Sequence, residues 1–446
     1  MKRVRTAIFC LAALLVVSVA NAQNDWIRTG TGLGQEKVRL AVADFKSSGA
    51  DPRTDALIKT FNDTLWNDLD NAGIFDMASK SFYPLQQPST PGEVKLDAWG
   101  NPPASAAMLA FGNLGVVGPD VLVSGWLDDV KNTQSPIVLG KQYKEEATEA
   151  NARLIAHKFA NEIIFRLGGG VNGITESKIY YISKRSGHKE VWAMDYDGAD
   201  QHQITHLGAL ASLSPRISPD GSRIAFSSYP KGAGLEIMMY SNERGRMVTF
   251  PRFGGTNATP AWSPDGAKIA FASSMHGSME IYVADASGTS PRRLTTARGP
   301  DVAPVWNPKT GAQIAFVSGR SGLPQIYIMD ADGSNVQRMT DQGYAVSPSW
   351  SPNGQFLAFA WRRNYGPGAP GGWDIYVMDI ASKQFIQLTH DAGNNDFPTW
   401  SPDGRHITFQ RGGNGREEIW TMLADGSKAH ALTNTGGNSQ PSWGAK

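Results

Sequence analysis

Residues 398–409 read PTWSPDGRHITF, and close variants of this stretch recur along the chain. Its centre, 401–404, suits a type I turn, because Ser favours the first position, Pro fixes φ at the second and Gly is common at the fourth. Trp400 lies on one side of the turn, and Ile407 and Phe409 alternate on the other. Aromatic and β-branched residues at every second position are typical of short strands. The stretch therefore predicts an antiparallel hairpin.

The same phrase recurs along the C-terminal part of the chain. Related hairpins begin at Ser214, Thr259, Ala303 and Ser347, and a shortened copy, QPSW, begins at Gln440. Between successive copies lies a second phrase of the type IYVMDxDGxxxxQLT, which predicts two more strands around a polar turn. A spacing of roughly 45 residues is the signature of a repeat architecture. The two phrases together predict six repeats of four strands each.

The two ends of the repeat region complement each other. The first repeat begins near Ser177 without a PxW strand, whereas the last repeat consists of that strand alone, at 441–443. An all-β six-bladed propeller closed by the C-terminal strand explains both ends and protects the sheet edges. A large aromatic at a fixed strand position is normally buried, so we expect the recurrent tryptophans to pack between blades. They are Trp262, Trp306, Trp350, Trp400 and Trp443, with Ile217 in the remaining blade.

The N-terminal part of the chain has a different organisation. Lys2, Arg3 and Arg5 precede an apolar run that ends in a small-x-small site, which predicts a signal peptide over residues 1–22. We expect an extended segment at 23–34, a small α/β domain at 35–172 and the propeller at 173–446. The protein is thus predicted to be multidomain.

Hydrophobic periodicity gives the elements of the α/β domain. Two amphipathic helices are predicted, one with Leu57, Phe61, Leu65 and Leu69 on one face and ending near Gly73, the other with Ile155, Phe159 and Ile163 on one side. Strands are predicted from Lys37, Asp120 and Pro136, and a short helix is predicted near Pro103.

Composition narrows the functional classes. The 446 residues are 41% hydrophobic and 19% charged, and the only cysteine, Cys10, lies within the predicted signal. Nothing in this balance suggests nucleic-acid binding. No later apolar run reaches the roughly 18 residues of a transmembrane helix. We therefore expect a protein of an exported compartment that does not span the membrane, without disulfides and monomeric.

The order of a signal peptide, an α/β domain and a propeller of PxWSPDGxxIAF repeats resembles the TolB family, the periplasmic component of the Tol-Pal envelope system. The resemblance implies a periplasmic, non-enzymatic scaffold that has no cofactor. It implies binding to the lipoprotein Pal through the propeller and to the TolA C-terminal domain through the N-terminal segment. Such a scaffold maintains outer-membrane integrity and assists cell division, and a link to protein import is a further implication.

The resemblance also assigns candidate binding residues. The segment at 24–32 matches the family's TolB box, and Trp26, Ile27 and Arg28 are the expected TolA anchors, because a strand added to a partner's edge needs one apolar face. The alternative is an unstructured leader left by processing. A leader that docks back onto the protein could also bias the affinity of the propeller for Pal.

The expected Pal site lies on one side of the propeller. Turns such as 401–404 lie on one side, called the turn face, whereas the variable loops, such as 183–190, lie on the other side, called the loop face. The resemblance implies that Pal binds the loop face, where arginine and aromatic residues would dominate the binding energy. The alternative for each residue is a solvated loop position. The candidates are Arg185, Arg252, Phe253, Arg298, Asp301, Asn394, Asn395 and Asp396.

Enzymatic alternatives are weaker on sequence. A propeller peptidase would carry a GxSxG elbow, and none occurs. The histidines lack the spacing of metal ligands, so neither a metal site nor a catalytic residue is predicted. The remaining alternative is a periplasmic propeller enzyme, a saccharide lyase or glycosidase, whose channel would gather two carboxylates and a basic group.

Overall fold

The computed structural model describes residues 25–444 except 209, 231–233, 365–371 and 391–392. The predicted signal peptide, 1–22, lies outside the described residues, as does the tip of the loop inserted after Arg362. The chain divides into two compact units. One is Gly32–Glu176, and the other is Ser177–Lys446 together with the N-terminal stretch that contains helix α1 (Asp25–Thr31). These bounds lie a few residues from the predicted 35–172 and 173–446.

The unit Gly32–Glu176 is built on a mixed sheet. The strand order is β3-β1-β4-β5-β6, with β2 beside β4; β1 is parallel to β3 and β4, and β4, β5 and β6 are antiparallel. The strands are β1 (Val38–Val42), β2 (Lys46–Ser47), β3 (Phe75–Met77), β4 (Met108–Val117), β5 (Asp120–Asp129) and β6 (Ile137–Glu146). The helices are α2 (Thr54–Asn71), α3 (Leu96–Gly100) and α4 (Glu149–Leu167), with 3₁₀ turns at Lys80–Phe82 and Pro91–Glu93.

The two long helices form as their periodicity predicts. The apolar faces predicted for α2 and α4 are buried in one core cluster with the sheet. Helix α2 is followed by Gly73 at φ +74°, a left-handed conformation that suits glycine after a helix. At the start of α4, the Thr148 side chain accepts a hydrogen bond from the Asn151 amide at 3.2 Å. The prediction of an α/β domain is confirmed.

The short helix predicted near Pro103 is wrong. The helix of this region, α3, ends at Gly100, and strand β4 begins at Met108. Met108 and Leu114 lie in the core cluster on one side of the sheet, whereas Leu109 and Phe111 lie in the cluster on the other. A strand buried on both faces is a continuous apolar run, and periodicity cannot distinguish such a run from a buried helix.

The described part of the second unit contains six four-stranded antiparallel sheets. In blade order the first three are β30 (Asn438–Trp443), β7 (Lys178–Ser183), β8 (Glu190–Asp195), β9 (His202–Gln203); β10 (Ser212–Ile217), β11 (Arg223–Ser228), β12 (Glu236–Ser241), β13 (Arg246–Val248); and β14 (Asn257–Trp262), β15 (Lys268–Ser273), β16 (Glu280–Asp285), β17 (Arg292–Arg293). The last three are β18 (Asp301–Trp306), β19 (Gln313–Ser318), β20 (Gln325–Asp330), β21 (Gln337–Arg338); β22 (Tyr344–Trp350), β23 (Phe356–Arg362), β24 (Asp374–Asp379), β25 (Phe385–Gln387); and β26 (Asn395–Trp400), β27 (His406–Arg411), β28 (Glu418–Leu423), β29 (His430–Ala431).

The C-terminal strand closes the ring as predicted. Strand β30 is the inner strand of the first blade and pairs antiparallel with β7, with Asn438 opposite Ser183 and Trp443 opposite Ile179. The first and last parts of the repeat region therefore complete one sheet. The six-bladed propeller predicted from the repeats is confirmed.

The SPDG phrase has a specific role at each hairpin. The Ser218 hydroxyl donates to Asp220 Oδ1 at 2.5 Å and accepts from the Arg223 amide at 2.9 Å. Hydrogen bonds from Ser218 and from the Ser222 amide lower the pKa of Asp220 to about 2. The same serine contacts recur with Asp265 in the next blade. The phrase thus joins the turn to the start of the second strand, which explains why it repeats.

Candidate functional site

The inner strand of each blade carries a β-bulge immediately before its proline. The residue there adopts φ of 50–54°, an uncommon conformation for residues other than glycine. Some bulges are hydrogen-bonded to the preceding blade of the ring. The Ala303 amide donates to Thr259 Oγ1 at 3.1 Å, and the Ser214 amide donates to Gln440 Oε1 at 2.6 Å. The six residues are Ser214, Thr259, Ala303, Ser347, Phe397 and Gln440.

The tryptophans at the ends of the inner strands join neighbouring blades. All five are at most 8% exposed, so the prediction that they are buried packing residues is confirmed. Three indole N–H groups donate to carbonyl groups of the preceding inner strand at 3.1–3.2 Å, from Trp262 to Arg216, from Trp350 to Val305 and from Trp400 to Ser349. The indole N–H of Trp443 donates to Ser177 Oγ at 2.7 Å. The Trp306 nitrogen is buried without a hydrogen-bond partner in the described part of the chain.

These tryptophans and the turn prolines surround a cavity at the turn face of the propeller. The cavity has a volume of about 440 Å³ and is lined by inner-strand and turn residues of all six blades. Tryptophan rings and prolines such as Pro264 and Pro402 make most of its wall apolar. Among the described lining residues, Arg216 is the one charged side chain. The site thus combines an aromatic and proline wall with a single cation.

Helix α1 packs on the turn face of the propeller. The Trp26 ring lies 5.3 Å from that of Phe356, and the Asn353 side chain donates to the Gly30 carbonyl at 3.2 Å. Arg28 Nε lies 3.7 Å from a carboxylate oxygen of Asp425. The Cβ of a residue other than glycine at position 30 would lie 2.2 Å from the Phe356 ring. Close contact with the propeller therefore requires glycine there.

The prediction of an extended segment at 23–34 is wrong for Asp25–Thr31. These residues are helical, and the Thr31 hydroxyl donates to the Ile27 carbonyl at 2.7 Å. The expectation assumed that main-chain hydrogen bonds would go to a partner's sheet edge. In a helix the main-chain N–H and C=O groups bond to one another instead, and Trp26 packs against Phe356.

Arginines stacked on aromatic rings mark the loop face. Arg185 lies 4.7 Å from the centre of the Trp192 ring, and Arg411 lies 4.1 Å from that of Trp420. Arg320 and Arg363 stack in the same way on rings of their own blades. Each of the four lies at or just beyond the end of the second strand of its blade. The planar guanidinium group suits such stacking and leaves its N–H edge available for carboxylates.

A belt of buried acceptors holds the loops beneath this surface. In most blades the third strand begins with an acidic or amide side chain that accepts from a threonine 15 residues later. Glu190, 1% exposed, accepts from the Thr205 hydroxyl at 2.5 Å and from the amides of Leu207 and Gly208 at 2.6 and 2.8 Å. Gln325 does the same for Thr340 at 2.7 Å. In these five blades the loop that follows the fourth strand is thus fixed to the third strand.

The profile of the TolB beta propeller domain matches residues 166–370 and 340–446 of this chain. These overlapping spans cover more than half of the sequence. The chain belongs to the TolB beta propeller family. The family resemblance stated from the repeats and the domain order is therefore confirmed.

Similar proteins agree with this assignment. A Tol-Pal system protein TolB from Desulfosudis oleivorans is 32% identical over 298 residues, which cover 66% of this chain and 64% of that protein. A TolB homolog from Chlorobium chlorochromatii is 32% identical over 203 residues, covering 45% of this chain and 44% of the homolog. The chain thus matches less than two thirds of the length of these relatives. The crystal structure of TolB from Acinetobacter baumannii has a TM-score of 0.76, 22% identity and coverage of 92% and 97%, which shows the same fold.

Four of the residues predicted for the loop face of this TolB-family propeller are exposed: Arg185, Arg252, Arg298 and Asn394. Phe253 is partly buried, with its ring stacked 4.9 Å from that of Phe271. Its contribution is therefore mainly to the packing of its own blade. The three arginines remain candidates for binding.

Asp301 and Asn395 are not surface contacts, and the expectation that they are exposed loop residues is wrong. Both are fully buried, because they are the first residues of inner strands and pair with the ends of second strands. Asp301 accepts from Arg320 at 2.7 Å, and Asn395 Oδ1 accepts from Arg411 Nε at 2.8 Å. Both residues therefore hold arginines of the loop face in position.

Asp396 is partly buried in the inner strand of the last blade. Its Oδ1 accepts from the Phe397 amide at 2.6 Å. Burial raises the pKa of Asp396 to about 6, although hydrogen bonds from Ser347 and Phe397 oppose the shift. Asp396 therefore lies in the inner strand rather than in the variable loop, and its role in binding Pal stays a prediction.

Three further arginines were not among the residues predicted from the sequence: Arg320, Arg363 and Arg411. The sequence did contain a signal for them, because each lies two or four residues after an aromatic residue of the second strand, as Arg185 lies four residues after Tyr181. The stacking that fixes them depends on the third and fourth strands, which single phrases do not reveal. The described residues contain no group of three or more potential metal ligands and no helix long and apolar enough to cross a membrane.

Proposed function

We propose that this chain is the TolB component of a Tol-Pal system, a periplasmic, non-enzymatic scaffold that links TolA to the lipoprotein Pal. In this role it maintains outer-membrane integrity and assists cell division, with a further link to protein import. Support comes from its membership of the TolB family and from the relative named Tol-Pal system protein TolB. The predicted signal peptide, 1–22, supports export.

The arginine-rich loop face is the observation that carries this proposal. Exposed Arg185, Arg252 and Arg298 lie on the same side of the propeller as the stacked Arg320 and Arg411. Arginine is favoured at protein interfaces because it combines a flat apolar surface with directed donors. The partner that fits this surface is a folded protein with an acidic patch, and Pal is the candidate.

The N-terminal segment supports the second half of the proposal. Trp26, Ile27 and Arg28 are the proposed TolA anchors, yet Trp26 packs on Phe356 and Ile27 is fully buried. TolA and the propeller therefore compete for the same side chains. Binding of TolA requires release of α1, so any ligand that favours the docked or the released state shifts TolA affinity.

Calorimetric titration of the processed chain with the soluble Pal domain of the same organism tests the scaffold role. We expect saturable binding that weakens by at least about tenfold in the double variant Arg252→Glu and Arg298→Glu, because charge reversal opposes an acidic partner. Arg246→Glu is the matched control, since Arg246 is exposed and lies on the turn face, at the turn between β12 and β13. Absence of binding, or equal weakening by the control, would contradict the proposal.

The enzymatic alternative predicts a channel with two carboxylates and a basic group. The cavity has the basic group, Arg216, and its described lining residues include no carboxylate. No observation in the described chain favours a lyase or glycosidase, so a single function is proposed.

A further inference from the structure

Arg216 differs in kind from the residues at its position in the other blades. It follows the proline of the inner strand, where the remaining blades carry Ala261, Val305, Ser349, Thr399 and Ser442. All six of these residues line the cavity at the turn face. Five small or medium side chains leave open space, and the sixth extends a guanidinium group into that space.

The guanidinium group has little support from the protein. Among the described residues, its one side-chain hydrogen bond is donated by Nη1 to the carbonyl of Pro215, the preceding residue, at 2.9 Å. Arg216 forms no salt bridge with any of the described residues. The other lining groups are the hydroxyls of residues such as Ser349 and Thr399, the indole rings and the prolines.

An unpaired cation in such surroundings is costly. Moving an ion from water into a protein costs roughly several kcal/mol unless a partner of opposite charge offsets that cost. Burial accordingly lowers the pKa of Arg216 to about 10, which remains high enough for the group to be charged at neutral pH. Arg216 is partly buried, and within the described residues its guanidinium group is paired with no carboxylate. A charged group in that position calls for an explanation.

The chemistry of the cavity defines its ligand. A guanidinium edge presents parallel N–H donors that match the two oxygens of a carboxylate. The wall of tryptophan and proline rings suits an apolar body, as in most small-molecule sites. A cation is disfavoured, because it would meet Arg216 without a carboxylate to balance it.

We propose that the turn-face cavity of the propeller binds a small organic carboxylate, with the carboxylate paired to Arg216 and the apolar part packed against the tryptophan rings. This site is separate from the proposed Pal surface, which lies on the loop face. It therefore adds a ligand to the scaffold, and its test does not depend on Pal or TolA.

Phenylacetate is a suitable probe, and phenylacetamide is its neutral counterpart of equal shape. We expect phenylacetate to bind the processed chain saturably, with a heat of binding and a matching change in tryptophan fluorescence, since five indoles line the cavity. Binding should weaken by at least about tenfold for phenylacetamide and for Arg216→Gln. Arg246→Gln removes the same charge from the exposed edge of the same blade and should bind phenylacetate normally.

Two outcomes would overturn the proposal. One is absence of saturable phenylacetate binding to the folded chain, and the other is binding that phenylacetamide or Arg216→Gln reproduces. Thermal unfolding of Arg216→Met separates ligand recognition from a structural role. If the arginine serves a ligand, this variant should melt at the same or a higher temperature, because a partly buried charge without a carboxylate partner is removed. A large decrease in melting temperature would show instead that Arg216 holds the fold together.

Discussion

The two faces of the propeller are made from the same six repeats but differ in how those repeats are used. On the turn face, a Ser-Pro-Asp-Gly phrase or a variant of it joins the first and second strands in the five blades where these strands are consecutive in the chain, and this surface receives helix α1. On the loop face, the loops differ in sequence. What they share is the buried hydrogen bond at their base, which Glu190 and Gln325 accept from a threonine.

The difference shows where a repeat protein can vary without losing its fold. Turn chemistry tolerates few residues, so the turn face stays regular and suits one fixed contact with the chain's own N-terminal segment. The loops are held at their base by buried hydrogen bonds, so their exposed residues are free to change. Four substitutions test whether the two faces differ in this way.

The largest effect should come from the buried belt beneath the loop face. Glu190→Ala removes the acceptor for the Thr205 hydroxyl and for the amides of Leu207 and Gly208. We expect the free energy of unfolding of the propeller to fall by about 4 kcal/mol, because buried donors lose a charged acceptor. Denaturant unfolding followed by tryptophan fluorescence measures this loss.

The matched control is Glu190→Gln. Gln325 already accepts from Thr340 at the corresponding place, so an amide can serve there, and we expect less than half of the effect of the alanine variant. If the alanine and glutamine variants were equally stable, the belt would not anchor the loops, and the account of the loop face would be wrong.

The second prediction concerns the pH dependence of stability that Asp396 confers from the loop-face end of inner strand β26. Burial raises the pKa of Asp396 from an ordinary 3.8 to about 6, so the folded state binds this proton more tightly than the unfolded state does. The contribution of Asp396 to stability is therefore greatest below about pH 4, falls as the pH rises towards 6 and is constant above that. The total change should be at most about 3 kcal/mol.

Comparison with Asp396→Asn isolates this contribution. The variant cannot ionise, so the difference in unfolding free energy between it and the parent chain should change between pH 4 and pH 6 and remain flat above. A difference that is constant over the whole range would mean that Asp396 is ordinarily solvated.

The third prediction concerns the turn face. Gly30→Ala would bring a methyl group to 2.2 Å from the ring of Phe356, a fully buried residue that cannot move freely. We expect α1 to detach, with a loss of about 2 kcal/mol of docking free energy from the Trp26 contact. Hydrogen exchange of the amides at 25–31 should become faster, and affinity for TolA should rise by up to about thirtyfold.

Gly49→Ala is the control, because nothing lies within 4 Å of its added methyl group. Unchanged protection of α1 in the Gly30 variant would show that the helix does not depend on this contact. Faster exchange without tighter TolA binding would show that α1 docks through this contact. It would contradict the proposal that TolA and the propeller compete for α1.

Sequence predicted the propeller better than its surface. Ser401, Pro402 and Gly404 specify a turn by local chemistry, and repetition supplies the long-range pairing that a single hairpin cannot reveal. Whether Asp301 is buried depends on Ser318, its partner on the next strand, which no local pattern identifies. The helical state of 25–31 depends on Phe356, more than three hundred residues away. Contacts between distant segments that no repeat encodes were therefore the part that could not be predicted.

The smallest expected effect tests the tryptophan ring at the turn face. Trp350 donates its indole N–H to the Val305 carbonyl at 3.2 Å, whereas the buried N–H of Trp306 has no partner in the described chain. Substitution by phenylalanine keeps most of the apolar contact and removes the donor. Trp350→Phe should therefore cost about 1 kcal/mol more than Trp306→Phe, the typical net value of one hydrogen bond. Equal losses in denaturant unfolding would mean that the rings hold the blades together by packing alone, and that the turn face relies on hydrogen bonds less than the loop face does.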